Sequence, residues 1–165
     1  MDFEELYERY FHSIYRTIFY MVDDETLAED LTQETFLRVY KGNFKRQATL
    51  STYIHQIARN LVVDHYRRKA LIRWLPFQTK HEKTEIRFVP HTWIEQEESR
   101  AMLYAALQTL KREHRAVVIY RKIEQLSIEE TAHILGWSTT KVANTQRTAM
   151  KALERLLRGD ENGFA

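Results

Sequence analysis

There is no cysteine anywhere in the 165 residues, and only two prolines and four glycines. Without cysteine, disulfides and thiolate metal sites are excluded, and the composition fits a reducing cytosol. With so little glycine and proline, neither extensive disorder nor the many tight turns of a sheet protein is expected. No apolar stretch approaches the roughly 18 residues that a bilayer span needs. The first residues are acidic and amphipathic, unlike a signal peptide. No Gly-rich phosphate loop, nucleophile elbow or paired-carboxylate constellation is present, so catalysis has no candidate residues. The seven histidines (His12, His55, His65, His81, His91, His114 and His133) are scattered, without the close pairing of a metal site. His65 falls on an apolar face and reads as a core residue. No cofactor is implied.

What is present is helix-forming sequence, 44% hydrophobic, with a reversal of charge inside its first half. Residues 1–40 carry Asp2, Glu4, Glu5, Glu8, Asp23, Asp24, Glu25, Glu29, Asp30 and Glu34 against Arg9, Arg16 and Arg38. Residues 41–73 carry Lys41, Lys45, Arg46, Arg59, Arg67, Arg68, Lys69 and Arg73 against Asp64 alone. The net charge of +2 averages this away. Like charges gathered on one face repel unless solvent or a partner compensates them. An acidic surface beside a basic one points to two partners, one of them a polyanion.

Both prolines, Pro76 and Pro90, fall in a stretch that breaks helical periodicity. The expected architecture is therefore all-α: two small helical domains, 1–72 and 97–165, joined by a Pro-containing linker over 73–96. In the first, Phe3, Leu6, Tyr7, Tyr10, Ile14 and Ile18 recur at helical spacing. A second helix follows the capping pair Asp23-Asp24 and ends at Gly42-Asn43. Its buried face is Leu27, Ala28, Leu31, Thr35 and Val39, and its other face presents Asp30, Gln33, Leu37 and Lys41. Leu37 amid polar groups hints at a protein contact, although such a face can simply be solvated. After a basic loop with Lys45 and Arg46, a third helix runs to about Arg68. Ile54, Ile57, Ala58, Leu61, Val62 and His65 point inward on it; Thr52, Gln56, Arg59, Asn60, Val63 and Arg67 point outward. Amides and arginines beside Tyr53 suit exposed bases, through hydrogen bonds and stacking, as well as they suit water.

In the second module, Leu103, Ala106, Leu107 and Leu110 form a stripe, and residues 116–120 suggest a short apolar helix. Ser127-Ile128-Glu129-Glu130 is a capping box, with Ser127 at the N-cap and Glu130 at N3. That helix ends at Leu135-Gly136, and Ser138 caps a long basic helix through Leu157. Residues 128–147 fit a helix-turn-helix, since Ala132 permits close crossing, Gly136 suits a left-handed turn, and Leu135, Val142 and Ala149 pack the pair. Thr139, Thr140, Lys141, Asn144, Arg147 and Lys151 then share the outer side. Thr and Asn can bond base edges, and Lys and Arg can serve bases or phosphates. An ordinary hairpin with a solvated cationic face is the plainer alternative, and it leaves the residue choice unexplained.

Taken together, these motifs resemble those of a bacterial extracytoplasmic-function (ECF) sigma factor. Ala28-Glu29-Asp30-Leu31-Thr32-Gln33-Glu34-Thr35-Phe36-Leu37-Arg38 is similar to the family's helix that docks on the RNA polymerase clamp. Thr52-Tyr53-Ile54, Ile57-Ala58-Arg59-Asn60, Asp64 and Arg67 resemble its segment for the minus-ten promoter element. Ser127-Ile128-Glu129-Glu130-Thr131-Ala132, Leu135-Gly136-Trp137-Ser138 and Val142 resemble its helix-turn-helix for the minus-thirty-five element. Tyr53 stands where the family often has Trp, Lys111 where Pro is common, and the linker is not markedly acidic. The resemblance implies a cytoplasmic, non-enzymatic factor that binds core RNA polymerase, directs it to promoters and helps melt them in a stress or envelope response. It implies polymerase contacts at Asp30, Gln33, Glu34 and Leu37. The implied DNA contacts are Lys45, Arg46, Thr52, Tyr53, Gln56, Arg59, Asn60, Val63 and Arg67 in the first module, with the outer row of the helix-turn-helix in the second. An anti-sigma partner is implied as well. Two rivals differ in what they require: a dimeric repressor would bind duplex tightly without polymerase, and a recombinase would need an α/β catalytic domain that residues 1–72 do not offer.

Overall fold

The computed structural model describes residues 2–22, 24–42, 49–73 and 98–162, which are helical with short connections and contain no strand. The elements are α1 (Phe3–Val22), α2 (Glu25–Lys41), α3 (Leu50–Arg73), α4 (Glu98–Thr109), α5 (Arg112–Val118), a π-helical turn (Ile119–Ile123), α6 (Ile128–Leu135) and α7 (Thr139–Asn162). The basic loop carrying Lys45 and Arg46 and nearly all of the 73–96 linker lie outside the described residues.

Local chemistry sets most helix ends. Asp24 caps α2, its Oδ1 accepting from the Leu27 amide at 3.1 Å. The Gly42 amide closes α2 by donating to the Arg38 carbonyl at 2.8 Å. Thr49 begins α3, its Oγ1 accepting from the Thr52 amide at 3.2 Å and donating to Thr52 Oγ1 at 2.8 Å. This turns Thr52 inward, where it is buried, contrary to the outward position expected from helical spacing. α3 continues to Arg73, about one turn beyond the expected end near Arg68. The apolar run expected as a helix over 116–120 is instead the end of α5 and the start of the π-helical turn.

α1 changes character along its length. Its first half is amphipathic, with Leu6 and Ile14 buried and Glu4, Glu5 and Glu8 exposed. From Thr17 to Val22 every side chain is buried. A helix apolar all round must be covered all round. Here α2 and α3 cover one side and α4, α5 and the π turn cover the other. Phe19 stacks on Tyr104 of α4 with ring centroids 5.0 Å apart. The buried side chains of both modules thus form one continuous core.

Three second-module and α3 side chains cap the C-terminal carbonyls of α1, which have no intrahelical partner. Tyr66 Oη donates to Met21 O at 2.8 Å, Arg115 Nη1 to the same oxygen at 2.9 Å, and Gln108 Nε2 to Tyr20 O at 2.9 Å. The buried Arg115 guanidinium also donates to the carbonyls of Leu107, Gln108 and Leu110. A buried cation persists only with such saturation.

Candidate nucleic-acid and polymerase interfaces

The helix-turn-helix is built as its caps foretell. The Glu130 amide donates to Ser127 Oγ at 3.0 Å and the Ser127 amide to Glu130 Oε1 at 3.1 Å, the reciprocal bonds of a capping box. Gly136 takes φ 69°, ψ 32°, and the Trp137 amide returns to Ala132 O at 3.0 Å. Ser138 Oγ then accepts from the Lys141 amide at 3.1 Å and starts α7. Thr131, Ala132, Ile134, Leu135, Val142, Ala149 and Leu153 are buried between the helices and the core.

Opposite that seam, Thr139, Thr140, Lys141, Asn144, Arg147 and Lys151 are all exposed. Asn144 Oδ1 meets Arg147 Nη1 at 3.4 Å, a long contact that leaves the amide ready to pair elsewhere. Lys141 Nζ lies 4.0 Å from the Trp137 ring centroid and 4.0 Å from Glu113 Oε1.

On α2, Ala28, Thr32, Thr35 and Phe36 are buried. The two threonine hydroxyls bond back to Ala28 O and Leu31 O at 2.6 and 2.7 Å, so burial leaves neither unsatisfied. Asp30, Gln33 and Leu37 are exposed on the other side and Glu34 is half-buried. Leu37 is 45% exposed, a large apolar side chain among polar neighbours.

The residues expected on the outer face of α3 separate. Asn60 and Arg67 are exposed, and Gln56, Arg59 and Val63 are half-buried. Tyr53 is half-buried against the core. Arg59 and Val63, with Val62 and Tyr66, line a cleft of about 130 Å³ whose far wall is Leu135 and Trp137 of the helix-turn-helix and Arg112, Glu113 and Ala116 of α5. Arg112 lies over the Tyr66 ring with its guanidinium carbon 3.6 Å from the centroid.

Some site-forming residues carried no signal in the sequence. Glu124, at the end of the π turn, pairs with Arg16 of α1. His55 is buried and burial pushes its imidazole down to about 4. The hydrogen bond and charge of Glu124 hold the Arg16 guanidinium above its ordinary value. His65, expected as a core residue, is only half-buried and lies outside the core; its imidazole is lowered, first by burial and then by Lys69. Among the described residues no group of His, Asp and Glu could hold a metal ion, and none of the helices is long and apolar enough to cross a membrane.

Known proteins share this arrangement. Residues 6–72 match the family model of sigma-70 region 2, and residues 100–153 match that of sigma-70 region 4. The ECF RNA polymerase sigma factor SigX of Bacillus subtilis is 33% identical over 159 residues, spanning 93% of this chain and 82% of that protein. The chain belongs to the ECF sigma factors. BldN of Streptomyces coelicolor is 32% identical, spanning 96% of this chain and 61% of that longer protein. Among solved structures, the sigma factor RpoE of Bartonella quintana, in complex with the anti-sigma factor NepR, superposes with a TM-score of 0.73 at 18% identity, covering 96% of this chain and 98% of that one. CnrH in complex with the cytosolic domain of CnrY gives 0.71 at 22% identity, covering 96% and 88%. At those identities the likeness is one of fold. As a sigma factor the protein is a non-enzymatic initiation factor that binds core RNA polymerase and directs it to promoter DNA.

Proposed function

We propose that three faces divide this work. The exposed side of α2, with Leu37 at its centre and Asp30, Gln33 and Glu34 around it, docks on core polymerase. The α3 face, Tyr53, Gln56, Arg59, Asn60, Val63 and Arg67, engages the strand unstacked at the minus-ten element, with Lys45 and Arg46 before it. Thr52 no longer fits that role as a direct contact, because its hydroxyl is used in the cap. The α7 row reads duplex at the minus-thirty-five element: Thr139, Thr140 and Asn144 toward bases, Lys141, Arg147 and Lys151 toward bases or phosphates.

The observation that carries this reading is the exposure of Thr140, Asn144, Arg147 and Lys151 along one side of a helix whose opposite side, Val142, Ala149 and Leu153, is buried. A row of bonding groups held rigidly at helical spacing is what groove reading needs. Each module then supplies modest affinity, and the connection between them makes the second contact effectively intramolecular. The factor acts in the cytoplasm, in a stress or envelope response, and an anti-sigma protein restrains it; two of its fold relatives are solved in complex with such a partner, NepR, or with the cytosolic domain of CnrY.

The test is run-off transcription with core polymerase over a promoter library, followed by permanganate footprinting on a promoter so found. Asn60→Ala and Arg67→Ala are expected to reduce thymine reactivity in the opened region more than initial binding. Wild-type opening by both variants removes α3 from the melting role.

A further inference from the structure

The cleft that α3 and the second module line together has an interior and a mouth of different character. The buried side chains of Met21, Val62 and Leu135 form its inner side with Val63 and Ala116, and the Tyr66 and Trp137 rings complete the apolar lining. Its volume of about 130 Å³ is close to the roughly 150 Å³ in which an apolar cavity holds a benzene ring. A concave site that is apolar within and carries a few placed polar groups is the usual form of a small-molecule site.

The charges around it are unbalanced. Three guanidiniums, those of Arg59, Arg112 and Arg115, line the cleft against one carboxylate, Glu113. The Glu113 side chain is 66% exposed and lies 4.0 Å from Lys141 Nζ, so its charge is turned to solvent and partly offset. Arg115 is buried and already donates to four backbone carbonyls, so it adds positive field but little bonding capacity. Arg59 and Arg112 differ. Neither forms an ion pair among the described residues. Arg59 Nη1 reaches Asn60 Oδ1 only at 3.4 Å, longer than a good hydrogen bond. Arg112 lies over the Tyr66 ring, its guanidinium carbon 3.6 Å from the centroid. A guanidinium stacked on a ring keeps its N–H fork in its own plane, in the geometry that a carboxylate accepts.

We propose that this cleft binds a small aromatic carboxylate, its ring in the apolar lining beside Trp137 and its carboxylate held at the mouth by Arg59 and Arg112. Each half of the ligand answers one half of the site. A bare anion gains nothing from the lining, and a neutral ring leaves the two cations unpaired. Bound there, the ligand stabilises the folded chain to the extent that it saturates the site. The site does not depend on the assignment of α3 to the unstacked strand.

Phenylacetate, phenylacetamide and inorganic phosphate are the probes, each titrated into the full chain while the indole N–H resonances are followed by NMR. The Trp137 signal is assigned by its absence in Trp137→Phe. Phenylacetate is expected to shift that signal saturably, with a Kd of about 1 mM or lower, and to raise the melting temperature. Phenylacetamide should bind about tenfold more weakly, the scale of a lost charge-assisted hydrogen bond. Phosphate should leave the signal in place. Arg112→Gln, at an exposed position, should lower the affinity for phenylacetate by about threefold to tenfold and shrink its advantage over phenylacetamide. Ala116→Leu fills the lining and should abolish binding of both. The proposal is overturned by no saturable shift of Trp137 up to about 10 mM phenylacetate, by shifts confined to other signals, or by an equal response to phenylacetamide or phosphate. Full affinity in Arg112→Gln overturns it as well. If Ala116→Leu does not fold, Arg112→Gln and the phenylacetamide comparison still decide the matter.

Discussion

Gly136 shows how much one residue can decide. Its φ of 69° is left-handed, yet nothing lies within 4 Å of the place a Cβ would occupy. Gly136→Ala therefore meets no clash, only the backbone cost of about 1–2 kcal/mol for an L-residue in that region. Thermal unfolding should report a loss of about 2–8 °C for a chain of this size, with the far-UV spectrum of the folded state unchanged. On α7, Asn144 and Lys151 should behave differently although both are exposed. Losing a bidentate amide–base contact costs about 1–3 kcal/mol and acts on the preferred sequence alone. Losing a phosphate contact weakens every sequence and lowers the salt slope by about one. Asn144→Ala is thus expected to flatten the ranking of minus-thirty-five variants in a transcription assay, and Lys151→Ala to keep the ranking and lower every value. An unaltered ranking with Asn144→Ala puts α7 in the groove at the wrong register or orientation.

At the scale of elements, α2 separates folding from function. Its folding side is complete without Leu37 and Gln33: the cap at Asp24, the buried Ala28 and Phe36, and the self-satisfied threonines hold the helix. Changing two exposed side chains should cost little stability. Leu37→Asp with Gln33→Ala is accordingly expected to unfold at nearly the wild-type temperature while binding core polymerase roughly tenfold or more weakly, the scale of a lost central anchor. Titration of labelled protein with core polymerase measures it, and undiminished affinity in the folded double variant would exclude this face from docking. α3 is a different kind of element. Both its sides are engaged, one by α1 and α2 and the other in part by α6, so its variants need a stability control that α2 variants do not.

For the whole molecule, the burial of His55 makes a prediction about acidity. His55 is lowered to about 4 from the ordinary 6.5, first by burial and then by the Arg16 charge, with Glu124 and Glu130 pulling the other way. A lowered imidazole means that the folded state binds fewer protons than the unfolded chain. The stability it contributes is therefore fully present above pH 6.5 and is lost as the pH falls toward 4. The loss at pH 5 is about 2 kcal/mol. The melting temperature should hold steady from pH 8 to 7 and fall between pH 6.5 and 4, and His55→Leu should remove most of that fall. A pH profile identical in His55→Leu assigns the acid sensitivity to other groups.

What could be read from the chain alone was whatever is settled within a turn or two of helix. The Ser127–Glu130 box, the left-handed Gly136, the Asp24 cap and the seam of Leu135, Val142 and Ala149 all involve near neighbours, so spacing and residue type suffice. The exposed α2 and α7 rows followed for the same reason, because water lies on the side that the stripe leaves over. What only the tertiary structure decided is the second burial. Helical periodicity treats α3 as if it had one covered side, so Arg59 and Val63 read as outward, whereas both are half-buried in a cleft that the second module helps to line. Thr52 read as outward until Thr49 took its hydroxyl into the cap. The residues that hold the modules together gave no pattern, because their partners are remote in the chain: Arg16 and Glu124 stand 108 positions apart, and Arg115 and Met21 stand 94 apart. A carboxylate so placed looks like any solvated one until docking removes the water, and that removal is a property of the assembled core.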